Sequence, residues 1–224
     1  MKKVLKNKKL IAVNFRFCWV VALQSEAKPL IDMFSMKILS NRLLFPIYLN
    51  HETGHALVIS GVGQVKSAAA AMFLRERLGV KNFAAWINIG ISGFFKGPVG
   101  SIHQALKVVN KESGKSFFPG TSFSKIVRGS SLITVGQPEK IFSAPCLYDM
   151  EAAGFCEVSP FLSCNELTYV FKIVSDTPET PKTEITKKFV TSLIKKNRDV
   201  VFELVAEIDK LVREEESRLI VPED

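Results

Sequence analysis

The chain has 224 residues, 47% of them hydrophobic and 23% charged, with a formal net charge of +8. That length supports one core of ordinary size rather than several domains. Cys18, Cys146, Cys156 and Cys164 form no C-x-x-C pair, which speaks against a zinc site, and the composition excludes a membrane-spanning helix, since no run of about 18 uncharged apolar residues occurs.

The basic balance invites a nucleic-acid partner, but Lys2, Lys3, Lys6, Lys8 and Lys9 crowd Met1–Lys9, and a solvated leader accounts for them. Leu10–Leu23 then has the outline of a signal peptide. Asn14 and Arg16 interrupt it, and Gln24-Ser25-Glu26 is a poor cleavage site. The expectation is a cytoplasmic protein with no nucleic-acid and no membrane partner. It is one domain over residues 1–224, with a flexible basic leader over 1–9. His51 and His55 are four apart but straddle Gly54 in a turn-like segment, so no zinc site is expected and the thiols are read as reduced and buried.

In chain order, Phe17–Leu23 is a continuous apolar run suited to a strand buried on both faces. Ser25 is placed to cap the next helix, with Pro29 in its first turn. Leu43–Leu49 reads as a strand that Pro46 confines to an edge, and Ala56–Ser60 as another strand. Gln64–Gly79 is an amphipathic helix ended by Gly79. The Gly61-Val62-Gly63 turn before it lacks the third glycine of a dinucleotide fingerprint, because Lys66 stands there.

Phe83–Ile89 reads as a buried strand entering a glycine turn, Gly90-Ile91-Ser92-Gly93-Phe94. Val99–Val109 and Ser131–Val135 read as strands, Asn110–Ser124 as a loop, and Gly136–Glu139 as the start of a short helix. Leu147–Met150 is a short strand before a helix over Glu151–Leu162, and Thr168–Val174 is a strand. Lys187–Arg218 is a long helical pattern that Asn197 bends or splits. Strands alternate with helices almost throughout. The fold class is therefore α/β: three layers, α/β/α, around a central mixed, largely parallel twisted sheet.

Three carboxylates, Glu26, Glu151 and Asp176, each follow a strand-like run. Ligands of α/β proteins bind at the carboxyl ends of strands. An acid there is costly unless paired, capping a helix or working. Three of them can supply a general base, a hydroxyl binder and a general acid in one cleft.

The segments VALQSEAKPL (Val21–Leu30), SGVGQVKSAAA (Ser60–Ala70), INIGISGFF (Ile87–Phe95), YDMEAAGF (Tyr148–Phe155) and IVSDTPE (Ile173–Glu179) resemble, in order and spacing, those of the nucleoside phosphorylase/nucleosidase superfamily, in particular the methylthioadenosine/S-adenosylhomocysteine nucleosidases. The resemblance implies a nucleosidase that cleaves the N-glycosidic bond of a purine nucleoside, needs no cofactor and no metal, and forms a homodimer. It implies that Glu26 positions and deprotonates the attacking water. Glu151 accepts hydrogen bonds from the ribose hydroxyls, with Met150 packed on the sugar. Asp176 protonates the purine and Ser175 orients it, while Ser92 and Gly93 form the pocket floor.

Two family arginines that hold phosphate are replaced here, by the Gln24–Lys28 region and by Asn88, which favours water over phosphate as nucleophile. A phosphorylase and a nucleoside-binding module without turnover are the alternatives. Gly136-Gln137-Pro138-Glu139-Lys140 stands where the nucleosidases carry an aromatic–aliphatic pair against the purine, so the expected wall comes from Phe94, Phe117 or Phe118.

Overall fold

The computed structural model describes residues 14–40, 42–139, 141–180 and 185–219. The basic leader, Lys140 and part of the loop expected after Asp176 lie outside the described residues. The sheet is organised around two wholly or mostly buried strands. Strand β1 (Phe17–Val21) is buried at every residue and pairs in parallel with β4 (His55–Ile59) and β5 (Ala85–Phe94). Beyond β4 the sheet ends in two antiparallel strands, β3 (Ile47–Asn50) and β2 (Lys37–Ile38). Pro46 directly precedes β3, near the sheet margin where a missing amide proton is tolerated.

β5 is ten residues long and does more than a turn-terminated strand would. The expected glycine turn at Gly90–Phe94 is strand, because both of its edges are hydrogen-bonded there. One edge pairs in parallel with β10 (Thr168–Asp176); the other passes from β1 to an antiparallel contact with β9 (Leu147–Asp149). β10 continues to β6 (Ile102–Asn110), β6 to β8 (Arg128–Thr134), and β8 to β9. The pairings β5–β10–β6–β8–β9–β5 thus close a ring. A short strand, β7 (Ser116–Phe117), lies inside the segment read as a loop and pairs with β6.

Helices cover both faces, as expected for three layers. Helices α2 (Gln64–Leu78) and α3 (Ala152–Val158) share a core with Cys18, Val20, Trp86 and Leu147. Helices α1 (Gln24–Met33), α4 (Lys187–Lys196) and α5 (Arg198–Leu219) share the other with Trp19, Ile87, Tyr169 and Phe171. None of the described helices is long and apolar enough to cross a membrane. Cys18 and Cys156 are buried, Cys146 and Cys164 half-buried, and all are free thiols.

Several local readings are corrected. α1 starts at Gln24, so Ser25 is inside its first turn and Leu23 stands at the cap. Pro29 lies in the helix interior, where it cannot donate to the carbonyl of Ser25. Thr191 on α4 supplies that bond instead, Oγ1 donating to the Ser25 carbonyl at 2.9 Å. Gly136–Glu139 forms no helix, and α3 is shorter than expected, ending in a 3-10 turn at Ser159–Phe161. Asn197 splits the last helical pattern: its Nδ2 donates to the carbonyls of Gly100 and Leu193 at 2.9 Å each.

Gly154 sets how closely α3 meets the start of α2. A β-carbon there would collide with the backbone of Gln64, which has no soft rotamer to yield. Gly154→Ala is therefore expected to lower stability by about 1–3 kcal/mol, seen as a lower thermal midpoint, with the Asn110 Nδ2 to Gln64 Oε1 contact disturbed.

Candidate active site

A cleft of about 240 Å³ opens at the carboxyl ends of β1, β5 and β10, beside the start of α3. Glu26, Ser92, Gly93, Met150, Glu151, Ser175 and Asp176 all line it. The expected catalytic and substrate-binding residues thus come to one cavity. β1, β5 and β10 run parallel and bring Glu26, Ser92, Gly93, Ser175 and Asp176 to the same end of the sheet, while Met150 and Glu151 arrive from β9, which pairs antiparallel with β5.

Glu26 sits in the first turn of α1 and is 2% exposed. Its Oε2 accepts from the Leu23 amide at 2.9 Å and its Oε1 from the Ile91 amide at 2.8 Å. Burial pushes its pKa up to about 7, against the opposing effect of those two amides and of Lys172, while Glu151 adds to the rise. A carboxyl group so poised exchanges a proton near neutrality. Gly90 leaves room for it, since a β-carbon there would lie 2.7 Å from Glu26 Oε1.

Glu151 precedes α3. Its Oε1 accepts from the Gly63 amide at 2.9 Å, and its Oε2 faces the Met150 amide at 3.3 Å. Gly63 has φ +111°, a conformation that suits glycine and turns its N–H toward the cleft. The turn at Gly61–Gly63 thus holds a protein carboxylate. Burial and the neighbouring Asp149 raise the Glu151 pKa, with Lys172 and the two amides opposing.

Asp176 closes β10 just after a register shift between Val174 and Asp176. Ser175 Oγ lies 2.6 Å from Asp176 Oδ1 and 3.1 Å from the Ser92 carbonyl, so its one proton bridges the carboxylate to β5. Ser92 is buried, and its hydroxyl oxygen has no partner among the described residues. A buried hydroxyl facing a cleft without a partner is a place for a ligand's polar atom.

Beneath these groups lies a network absent from the expectations above. Lys172, on β10, is 1% exposed. Its Nζ sits 2.8 Å from Asp149 Oδ2 and donates to Asn88 Oδ1 at 2.8 Å. Asn88 Nδ2 in turn donates to the Val20 carbonyl at 3.1 Å. Asp149 also accepts from Thr134 Oγ1 at 2.7 Å and from the Ala152 amide at 2.8 Å. Burial opposes the lysine's charge, but Asp149, Glu151 and Glu26 together hold its pKa above the ordinary lysine value. The signal was present in the sequence: a lone lysine inside the apolar run Thr168–Val174 requires a buried counter-charge.

The expected aromatic wall is corrected. Phe94 is buried against His103, Phe117 is half-buried on β7 and Phe118 is exposed; none lines the cleft. Phe142 and Tyr148 do, with ring centroids 5.1 Å apart. Among the described residues, no lysine, arginine or histidine lines the cleft.

No protein-family profile matches the sequence, and no curated protein matches it. Solved structures do. A methylthioadenosine nucleosidase of Arabidopsis thaliana superposes with a TM-score of 0.73 at 16% identity, covering 86% of this chain and 95% of that one. This is the nucleosidase fold. A methylthioadenosine/S-adenosylhomocysteine nucleosidase of Neisseria meningitidis, solved with methylthio-immucillin-A, gives 0.67 at 18% identity, covering 84% and 97%. A futalosine hydrolase of Helicobacter pylori gives 0.66 at 13% identity, covering 85% and 98%. The nucleosidase fold therefore extends over nearly all of the described chain, and identity this low carries the architecture alone.

Lys172→Met would leave Asp149 as an uncompensated buried charge. Urea unfolding is expected to show a loss of about 3–5 kcal/mol at pH 7. A smaller loss in Lys172→Met/Asp149→Asn would identify the unpaired carboxylate as the cause.

Proposed function

We propose that the protein is an N-ribosyl hydrolase acting on a purine nucleoside such as methylthioadenosine or S-adenosylhomocysteine. The observation that carries this reading is the meeting of Glu26, Glu151 and Asp176 in one cleft of a nucleosidase-type fold. Glu151, its oxygens steadied by the amides of Gly63 and Met150, takes the ribose hydroxyls, and Met150 packs beside the sugar. Glu26 holds a water on one side of the sugar and removes its proton as the oxygen bonds to the anomeric carbon. The C–N bond breaks, its electron pair passes to the base, and Asp176, oriented by Ser175, protonates that base. Ser92 and Gly93 floor the space between sugar and base. The products are free base and free sugar, as an oxocarbenium-like transition state between two acids allows.

Water is favoured over phosphate by the charge of the cleft. Oxyanion recognition calls for arginine or lysine. Among the described residues the cleft lining holds carboxylates and no cation, and the ammonium of Lys172 beneath it is taken by Asp149 and Asn88. Incubation with adenine nucleosides, with and without phosphate, tests the reading. Free base and free ribose sugar in both arms is the expected result; cleavage that requires phosphate and yields ribose-1-phosphate would overturn it.

Asp176→Asn is expected to abolish base release while leaving nucleoside binding within about threefold, since one acid and not the pocket shape is lost. Turnover equal to the parent would remove Asp176 from the acid role. Glu26 works as a base only when ionised, and its raised pKa puts that ionisation near neutrality. Below about pH 7, kcat/KM is expected to fall roughly tenfold per pH unit, and a pH–rate profile checks it. A profile flat from pH 5 to pH 8 would exclude Glu26 as the titrating base.

A further inference from the structure

Gly93 is the point where the base end of the cleft is built. It pairs with Tyr148 of β9 and with Asp176 of β10, so the edge of a flat ligand approaching Asp176 must pass over it. That space is already filled. A β-carbon at position 93 would lie 2.5 Å from both Cε1 and Cζ of Phe142, and 3.4 Å from Asp176 Oδ2. The phenyl ring and the acid therefore crowd one spot, and only a glycine lets the ring settle there. Val135 and Tyr148 complete the slot, and the ring is 9% exposed.

Further observations mark the ring as a stand-in. The cleft beside it holds about 240 Å³, below the roughly 300–1,000 Å³ usual for small-molecule sites. Asp176 Oδ2 borders the same place. A phenyl ring offers it no hydrogen bond, whereas a nitrogen heterocycle does. In the segment that carries the ring, Gln137, Pro138, Ile141, Ser143 and Pro145 are exposed; Glu139 is held by Lys111 at 2.6 Å, the Ala144 amide donates to Tyr148 Oη at 2.9 Å and the Cys146 carbonyl accepts from the Phe95 amide at 3.3 Å, so the ring itself is held by packing alone.

We propose that Phe142 is the resident occupant of the base subsite, and that a heteroaromatic base enters by displacing its ring from between Gly93, Tyr148 and Asp176. The proposal rests on reading the Asp176 end as the base end. It makes Phe142 a specificity determinant: only a flat ligand that gains a hydrogen bond with Asp176 outcompetes the phenyl ring. The apparent dissociation constant is raised by the fraction of molecules in which the ring is home.

Calorimetric titration of adenine and of benzimidazole into the full chain tests this, comparing the parent with Phe142→Ala and Phe142→Leu. Removing the occupant is expected to tighten both ligands by about fivefold or more in Phe142→Ala, with Phe142→Leu between. Equal or weaker binding in the variants, or binding of neither ligand to any form, overturns the proposal. Thermal melting of each variant shows that it is folded, and Phe142→Leu carries the comparison if Phe142→Ala is not. Tighter base binding without nucleoside turnover in any form would sink the hydrolase reading and leave this one standing. Turnover with weaker base binding would do the reverse.

Discussion

The ion pair between Lys172 and Asp149 is the interaction on which the cleft depends. An ammonium group buried to 1% exposure is expensive by several kcal/mol unless a counter-charge and hydrogen bonds satisfy it. Asp149 and Asn88 do so, each at 2.8 Å. Their own remaining polar atoms reach Thr134, the Ala152 amide and the Val20 carbonyl. The network therefore links β1, β5, β8, β9 and β10 beneath the cleft. Its charge also governs the acids above: with one lysine against Asp149, Glu151 and Glu26, the carboxylates are only partly compensated. Burial of Glu26, opposed only in part by its two amides and Lys172, leaves its pKa at about 7.

The second constraint is backbone hydrogen bonding to the pocket acids. Glu26 is held by the amides of Leu23 and Ile91, and Glu151 by those of Gly63 and Met150. Amides on strand ends and turns are fixed more firmly than side chains, so the carboxylates are oriented before any ligand arrives. These bonds also favour ionisation, at about 1.5–3 kcal/mol for a bond to a charged group. Burial outweighs them at both acids. The outcome is a pair of well-placed carboxyl groups whose pKa values both lie above the ordinary glutamate value, that of Glu26 at about 7.

The Asp176 end of the cleft differs from the Glu151 end in how it is built. The acids stand at strand and helix termini, where the main chain dictates their position. Phe142 hangs from a connection with little regular structure and is held by side-chain packing on Val135 and Tyr148. Packing of this kind tolerates substitution and displacement more readily than a hydrogen-bonded strand end. Architecture persists at 13–18% identity to solved nucleosidases because sheet pairing and a filled core need only apolar pattern.

Much of this was legible in the chain itself. Apolar runs with an acid at their end located β1, β9 and β10, and Glu26, Glu151 and Asp176, because strand period and the cost of a buried acid are local properties. Asn197 announced the break between α4 and α5. Other features were decided by tertiary structure. Pro29 sits inside α1 because Thr191, 162 residues on, satisfies the carbonyl that proline cannot. Gly90–Phe94 extends as strand because β9 and β10 supply partners on both edges. Lys172 was visible as a charge in an apolar run, but Asp149 could be named as its partner only once β9 and β10 joined the same ring. Phe142 lay five residues beyond Gln137, in a segment without period or cap, and only the empty side of Gly93 drew it into the cleft. The sequence by itself determined which strands end in acids; the closure of the sheet decided which charges meet, because electrostatic partners are chosen through space.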